Sequence, residues 1–366
     1  MGDWKESVAK IWTAPDRLPR GAWLWWFWLF FIHGSGTTKT GKCRQIMILW
    51  SVKNDPDISC NGMDIRVARQ ITREDGKYLL DGAAAAWYFD GERMREDFVL
   101  ERSLMNLDPS SLSLVAPGKT PSSFCLEDEE FVTKIDSGGI KFAFRARQTD
   151  RNAAIGPTYG RTKLPFGMEI EGTRIEALEL FGEETDAEGK AQKIAGTAYF
   201  QKILLAAPPP QWYWGLYHFQ DGSFFTYMLP YVGKATFADN LWKGASLSSP
   251  HLPANQDIML YHAPTRRLFE GKRLSVVPRK TATEGCWLHE ITGGGKGFAI
   301  TAQAEGYSHA CWKFEKKIGV LPPKSKFLYN EYPAVVKKLV AKLDSGEEIV
   351  LQNAWGNMEN AWGFLI

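Results

Sequence analysis

Histidine is the residue type in this sequence that is best suited to acid–base chemistry. Its six histidines are too scattered for a metal site. His218 differs from the others because strand alternation places it on the same face as Trp212 and Trp214. An imidazole on an aromatic face can donate a proton or fix a polar group of a ligand. His218 is therefore a candidate proton donor, and a structural, hydrogen-bonded histidine is the alternative.

Other catalytic side chains show weaker patterns. Glu169 and Glu171 alternate on a predicted strand and could form an acid pair, although solvated outer-face charges are the simpler interpretation. No nucleophile elbow or Cys-His pairing stands out. The five cysteines are far apart and lack a Cys-x-x-Cys motif, which favours free thiols in a reducing compartment. We therefore expect a cytoplasmic protein without a disulfide framework or a metal.

Charge and hydropathy exclude several classes of partner. The 44 Lys and Arg residues nearly balance the 42 acidic residues, so nothing in the charge favours nucleic acid. The most apolar run, Ala22 to Ile32, is shorter than the roughly 20 residues of a membrane-spanning helix, so we expect no stable membrane insertion. Aromatic residues are abundant, with 15 Trp, 21 Phe and 12 Tyr. Such a content is typical of β-sheet cores or of an apolar ligand cavity.

Two aromatic hairpins organise the chain. Trp212 to Phe219 and Ser223 to Leu229 are aromatic runs joined by Asp221-Gly222, a pair that favours a tight turn. A similar alternation occurs near the N-terminus, from Trp26 to Ile32, followed by a polar turn and a second apolar run from Gln45 to Val52. Two such hairpins, half a chain apart, indicate a duplicated β unit.

The remaining elements complete an all-β prediction. Short predicted strands recur with turns every 8–12 residues, which is typical of a sandwich or a barrel. A short helix is predicted over Trp4 to Trp12, and helical spacing of apolar residues predicts a second helix over 331–343. The proline run Pro208 to Pro210 favours a linker. We therefore predict two β domains, 1–208 and 209–366, the second carrying the helix.

Short motifs then suggest a family. The segment Gly196-Thr197-Ala198-Tyr199, followed by Trp212-Tyr213-Trp214 and Asp221-Gly222, resembles the carotenoid hydratase family (hydroxyneurosporene synthase). Trp25-Trp26-Phe27 is similar to the opening of the wider group, which includes AttH, tocopherol cyclase-like proteins and fungal pericyclases. The resemblance implies two tandem lipocalin-like β-barrels and an apolar ligand, often an isoprenoid or a polyene.

The resemblance fails where the proton donor would lie. Hydratase-like members follow the Gly-x-Ala-Tyr element with a segment that contains aspartate and histidine, whereas this sequence has Phe200 to Leu204. Tyr227 matches the tyrosine of a Tyr-x-Asp element, but its acid is replaced by Leu229. Hydrating or cyclising an alkene requires a positioned proton donor and aromatic faces for the cation. The sequence supplies the aromatic faces without an identifiable donor.

The sequence therefore predicts a lipocalin-like protein that encloses a large apolar isoprenoid, polyene or polyketide molecule. One hypothesis is a hydratase or cyclase that needs no cofactor, with His218 and Tyr227 as catalytic candidates. The other is a carrier with the same cavity and no turnover. The predicted ligand-binding aromatic residues are Trp25, Trp50, Trp87, Tyr199 and Trp214.

Overall fold

A computed structural model of the protein describes residues 4–33, 41–55, 57–65, 71–149, 156–163, 169–207, 209–231, 256–316 and 325–365. The chain divides into two compact units, Met1–Pro208 and Pro209–Ile366. Each unit has its own hydrophobic core. No helix in the described ranges is long and apolar enough to cross a membrane.

The first unit begins with a short helix and continues in strands. The helical segments are α1 (Trp4–Ala9) and a 3-10 turn (Lys10–Trp12). The strands are β1 (Trp23–Ile32), β2 (Arg44–Lys53), β3 (Ile58–Cys60), β4 (Met63–Asp64), β5 (Ile71–Glu74), β6 (Lys77–Phe89), β7 (Met94–Asp108), β8 (Ser113–Ala116), β9 (Ser122–Glu127), β10 (Glu130–Ser137), β11 (Ile140–Arg147), β12 (Thr158–Lys163), β13 (Glu169–Thr185) and β14 (Ala191–Ala206).

Ten of these strands close into an antiparallel barrel. Their order is β11-β10-β9-β8-β7-β6-β2-β1-β14-β13, and β13 pairs with β11 to complete the ring. Closure leaves no unpaired edge among these ten strands. The all-β prediction is confirmed.

Side-chain alternation along β1 fills the first barrel. Leu24, Trp26, Trp28, Phe30 and Ile32 belong to the buried core, and the intervening residues lie on the opposite face of the strand. Rings within this core stack closely; the centroids of Trp28 and Phe30 are 5.3 Å apart. The interior aromatic side chains therefore pack against one another.

The N-terminal segment packs into one end of this barrel. Trp12 lies with its ring centroid 4.8 Å from that of Phe124. Trp26 Nε1 donates to the Ile11 carbonyl oxygen over 2.7 Å. Lys202 Nζ donates to the carbonyl oxygen of Lys10 over 2.6 Å, which satisfies a free carbonyl in the last helical turn. The predicted short helix is confirmed, and its tryptophan completes the core.

The second unit contains the remaining strands. They are β15 (Gln211–His218), β16 (Phe224–Tyr231), β17 (Asp257–His262), β18 (Arg267–Gly271), β19 (Arg273–Lys280), β20 (Trp287–Gly295), β21 (Phe298–Gly306), β22 (Ala310–Lys316), β23 (Ser325–Leu343) and β24 (Glu348–Phe364), with a 3-10 turn at Ala263–Thr265. Their sheet order is β18-β17-β16-β15-β24-β23-β21-β20-β19, and β22 also pairs with β23.

The second aromatic hairpin forms as predicted. β15 and β16 pair in register, and Gly222 in the turn has a φ of +88°, which glycine adopts without strain. Tyr213 and Tyr217 of β15 point into the core of the unit. Trp212, Trp214 and His218 therefore lie on the opposite face of the strand. Side chains on the two faces of β15 therefore contact different neighbours.

The helix predicted over 331–343 is wrong, because this segment is the second half of strand β23. Its register against β21 shifts between Ala302 and Ala304, so that Val336 and Leu339, three residues apart, both face the core. A β-bulge of this kind breaks the period of two and imitates helical spacing. The β-branched valines suit a strand equally well.

Candidate functional site

Two buried glutamates lie opposite each other in the second unit. Glu331 on β23 pairs in register with Glu359 on β24, so the two side chains share one face of the sheet. Trp214 on β15 is the cross-strand neighbour of Glu359 on its other side. Glu331 is 1% exposed and Glu359 is 4% exposed. Long strands thus hold two carboxyl groups together away from solvent.

Three polar side chains contact the glutamates. Trp212 Nε1 donates to Glu359 Oε2 over 2.6 Å, and the Tyr329 hydroxyl donates to Glu359 Oε1 over 2.8 Å. Asn357 Nδ2 donates to Glu331 Oε2. Both oxygens of Glu359 therefore accept hydrogen bonds from neutral donors. Glu331 Oε1 has no partner of standard hydrogen-bond geometry among the described residues.

Burial controls how these carboxyl groups ionise. Loss of hydration raises the pKa of Glu331 well above its ordinary value, and the adjacent charge of Glu359 raises it further. Burial also raises the pKa of Glu359 to about 7, although the hydrogen bonds from Trp212 and Tyr329 oppose that rise. Two carboxylates in contact cannot both ionise easily in a low dielectric. The pair therefore retains at least one proton at neutral pH.

The hydrogen bonds decide which carboxyl group carries that proton. Donors on both oxygens stabilise the anionic form of Glu359. Tyr329 and Asn357 also favour the anion of Glu331, but the contact between the two carboxyl groups raises the pKa of Glu331 and lowers that of Glu359. We therefore assign the proton to Glu331 and the negative charge to Glu359. The result is a buried carboxylic acid beside a fixed carboxylate.

Aromatic rings surround this acid. The centroid of Trp212 lies 5.7 Å from that of Tyr329 and 5.5 Å from that of Phe327. Trp312 lies 6.1 Å from Tyr329 in the same cluster. Ring faces attract positive charge, and they do so more strongly where water is excluded. A buried acid beside a carboxylate and several rings can protonate an apolar substrate and stabilise the resulting cation.

The structure brings two of the predicted residues to this face. Trp214 is 6% exposed and lies beside Glu359 in the sheet. His218 is 4% exposed at the end of β15, on the same strand face, and pairs in register with Trp355. Three residue pairs separate His218 from Glu359 along the ladder. The glutamates are thus closer to Trp214 than to the predicted histidine donor.

Tyr227 lies on the opposite face of the same sheet, in the core of the unit. Its hydroxyl is 2.8 Å from His289 Nδ1 and 3.5 Å from the Tyr217 hydroxyl. Burial lowers the pKa of His289 to about 3, so the imidazole is neutral. Burial also raises the pKa of Tyr227. This inner cluster is uncharged and separated from the glutamates by the sheet backbone.

The predicted ligand-binding residues of the first unit are divided between two faces of its barrel. Trp50 lies in the core, where its Nε1 donates to Ser122 Oγ over 2.9 Å. Trp25 is half-buried on the other face of β1. Trp87 and Tyr199 are fully buried outside that core cluster, and the Tyr199 hydroxyl donates to Gln201. The five predicted ligand-binding residues therefore do not form one cluster.

Other acidic candidates have ordinary environments. Glu169 and Glu171 are half-buried on β13, and Glu169 pairs with Arg161 over 2.8 Å. Within the described ranges, no group of three or more histidine, cysteine or acidic residues is placed to hold a metal ion. Unlike Glu169 and Glu171, Glu331 and Glu359 are both buried and lie directly opposite each other.

Sequence reasoning missed Glu331 and Glu359 for identifiable reasons. The predicted helix placed Glu331 at a helix start, where an acidic residue is expected to be solvated. Glu359 lies in an aromatic tail with no predicted partner. The available signal was Asn357 and Glu359 alternating with Gly356 and Met358 in an aromatic-rich strand. Polar residues at alternate positions of a buried strand indicate a polar cluster on one face.

Comparison with solved structures identifies the fold. The Nitrosomonas europaea protein NE1406, which is assigned as an AttH, matches with a TM-score of 0.50 and 13% identity, covering 96% of this chain and 99% of its own. Kievitone hydratase from Nectria haematococca matches with a TM-score of 0.47 and 10% identity, covering 94% of this chain and 91% of its own. No protein-family model matches the sequence, and no curated protein matches it.

The likeness to the AttH structure concerns the fold alone, since the sequence identity is low. The chain shares the tandem lipocalin-like fold of the AttH structure over nearly its whole length. The resemblance inferred from Gly196 to Tyr199 and from the aromatic hairpins is therefore confirmed at the level of the fold.

Proposed function

We propose that this protein is an acid-dependent hydratase or cyclase that acts on a large apolar, alkene-containing molecule of isoprenoid, polyene or polyketide type. Glu331 is the proton donor, and Glu359 is the carboxylate that stabilises the cation. The proposal rests on one observation: a carboxyl pair, nearly free of solvent, that lies among indole and phenol rings.

The physical argument has two steps. Protonation of an alkene needs an acid that still holds its proton at neutral pH, in an environment where the carbocation is not immediately trapped by bulk water. Glu331 is protonated at neutral pH because of burial, and its Oε1 makes no hydrogen bond of standard geometry among the described residues. The cation that forms would face the Glu359 carboxylate and the ring of Trp214. Protonation followed by addition or ring closure is redox-neutral, so this reaction needs no cofactor.

Native mass spectrometry of protein purified from its own host can identify an apolar compound that the protein retains. That compound, and farnesene as a defined trisubstituted alkene, would then be incubated with the enzyme in D2O. We expect deuterium in the product. Glu331→Gln should lower the rate by about 100-fold or more, because an amide is a poor proton donor.

A matched control is Glu305→Gln, which changes a half-buried glutamate on β21 that pairs with Lys337. This variant should keep the rate of the wild type. Equal rates for Glu331→Gln and wild type would remove Glu331 from the mechanism. Retention of a ligand without turnover in any protein would make the protein a carrier instead.

A further inference from the structure

Two buried polar atoms next to the acid have no hydrogen-bond partner among the described residues. One is Glu331 Oε1 and the other is Asn357 Oδ1. Asn357 is 0% exposed and Glu331 is 1% exposed. An unpaired buried oxygen is destabilising, so two on hydrogen-bonded neighbours require an explanation.

These two atoms belong to side chains that are hydrogen-bonded to each other. Asn357 and Glu331 lie on neighbouring strands and project from the same face of the sheet, since Glu331 pairs with Glu359 two residues along β24. Asn357 Nδ2 donates to Glu331 Oε2. Asn357 Oδ1 is bonded to the same carbon atom as the donor Nδ2, and Glu331 Oε1 is bonded to the same carbon atom as the acceptor Oε2. The amide oxygen is an acceptor, and the protonated carboxyl group is a donor on the neighbouring side chain.

We propose that Asn357 Oδ1 and Glu331 Oε1 bind one water molecule, and that this water is the nucleophile of the reaction. Water fits both atoms, because it can donate to the amide oxygen and accept from the carboxylic acid. Buried waters usually occupy sites where several protein polar atoms lack partners. Leu216 on β15, the cross-strand partner of Asn357, offers no competing polar group.

The second half of this inference rests on the proposed function and selects hydration over cyclisation. Glu331 transfers its Oε1 proton to one alkene carbon, leaving a carbocation and a carboxylate. The water oxygen held by Asn357 bonds to the cationic carbon. The proton released by that water returns to Glu331 Oε1. Alkene and water become an alcohol, Glu331 regains its proton, and Glu359 remains ionised throughout.

A high-resolution crystal structure tests the water site directly. We expect electron density for one water within hydrogen-bond distance of Asn357 Oδ1 and Glu331 Oε1 in the wild type. Asn357→Leu, an apolar substitution of similar size, should remove it. Gln352→Leu on the exposed side of β24 is the control and should retain it. A wild-type structure without this water would overturn the inference.

Isotope incorporation separates this inference from the proposed function. With farnesene or the retained compound in D2O, Asn357→Leu should still exchange deuterium into the alkene but form alcohol at least about tenfold more slowly. Unchanged alcohol formation in Asn357→Leu would overturn the nucleophile role. Wild-type exchange without any alcohol would also overturn it while leaving the acid role intact. An ordered water with neither exchange nor alcohol would support the water site and contradict the proposed function.

Discussion

The carboxyl groups of Glu331 and Glu359 show how environment, rather than residue type, creates a reactive group. A solvent-exposed glutamate is ionised at neutral pH and cannot act as an acid. Burial reverses this for Glu331, while Trp212 and Tyr329 favour the anion of Glu359. The two residues are chemically identical and receive different roles from their hydrogen-bond partners.

This arrangement predicts how stability depends on pH. The pKa of Glu359 is raised from 4.5 to about 7, so between these values the folded protein keeps a proton that the unfolded chain has released. The free energy of unfolding therefore falls as pH rises through this window, by up to about 1.4 kcal/mol per pH unit for one proton. The side chain in Glu359→Gln cannot ionise, so the free energy of unfolding of this variant should fall less as pH rises through the same window.

Urea unfolding at pH 5 and pH 7.5 measures this effect. The comparison uses the change between the two pH values, because Glu359→Gln also loses hydrogen bonds and shifts the absolute stability. Glu305→Gln should keep the wild-type pH dependence. The same dependence in Glu359→Gln as in the wild type would show that Glu359 ionises normally in the folded protein.

At the scale of single elements, β23 is the most informative. Its sequence carries apolar residues at helical spacing, yet a bulge lets the same residues pack as a strand. Pairing with β21 and β24 on both sides supplies the hydrogen bonds that a helix would have made internally. The consequence for function is direct, since only a strand places Glu331 opposite Glu359.

For two matched substitutions in the segment 331–343, a strand and a helix predict different losses in the free energy of unfolding. Val336 is fully buried and Val340 is half-buried in β23, whereas a helix would bury both, four residues apart, on one face. We expect Val336→Ala to lower the free energy of unfolding by about 2 kcal/mol and Val340→Ala by clearly less. Chemical denaturation measures both. Equal losses would argue against the observed register of β23.

At the scale of the whole molecule, two cores rich in aromatic rings stabilise the fold without covalent cross-links. All five cysteines are free, and Cys43, Cys60 and Cys286 are buried. Burial raises the pKa of the Cys43 thiol, which lowers its reactivity. Cys125 is partly exposed, but burial still raises its pKa to about 11.

Thiol titration checks this description of the whole chain. In the native protein, at most two thiols, those of Cys125 and Cys311, should react with a thiol reagent at pH 8. All five should react after denaturation. Adding a reductant should leave the melting temperature unchanged, because no disulfide contributes to stability. Fewer than five reactive thiols after denaturation without reductant would show a disulfide.

Local patterns in the sequence determined much of the fold. Alternating aromatic runs and the Asp221-Gly222 turn specify hairpins, because strand faces and tight turns depend on adjacent residues. Adjacent residues also predicted the short N-terminal helix, and the prolines that follow Trp12 in the sequence prevent it from continuing. These features rely on interactions within a few residues, which a sequence displays directly.

Only the tertiary structure decided where the acid lies. Glu331 and Glu359 meet because β23 and β24 pair in a single register along their length, and register depends on contacts between residues distant in the chain. The face on which Trp214 lies beside Glu359, while Tyr227 points the other way, follows from the same pairing. Burial then sets the protonation of the pair, and burial is a property of the packed molecule rather than of any segment.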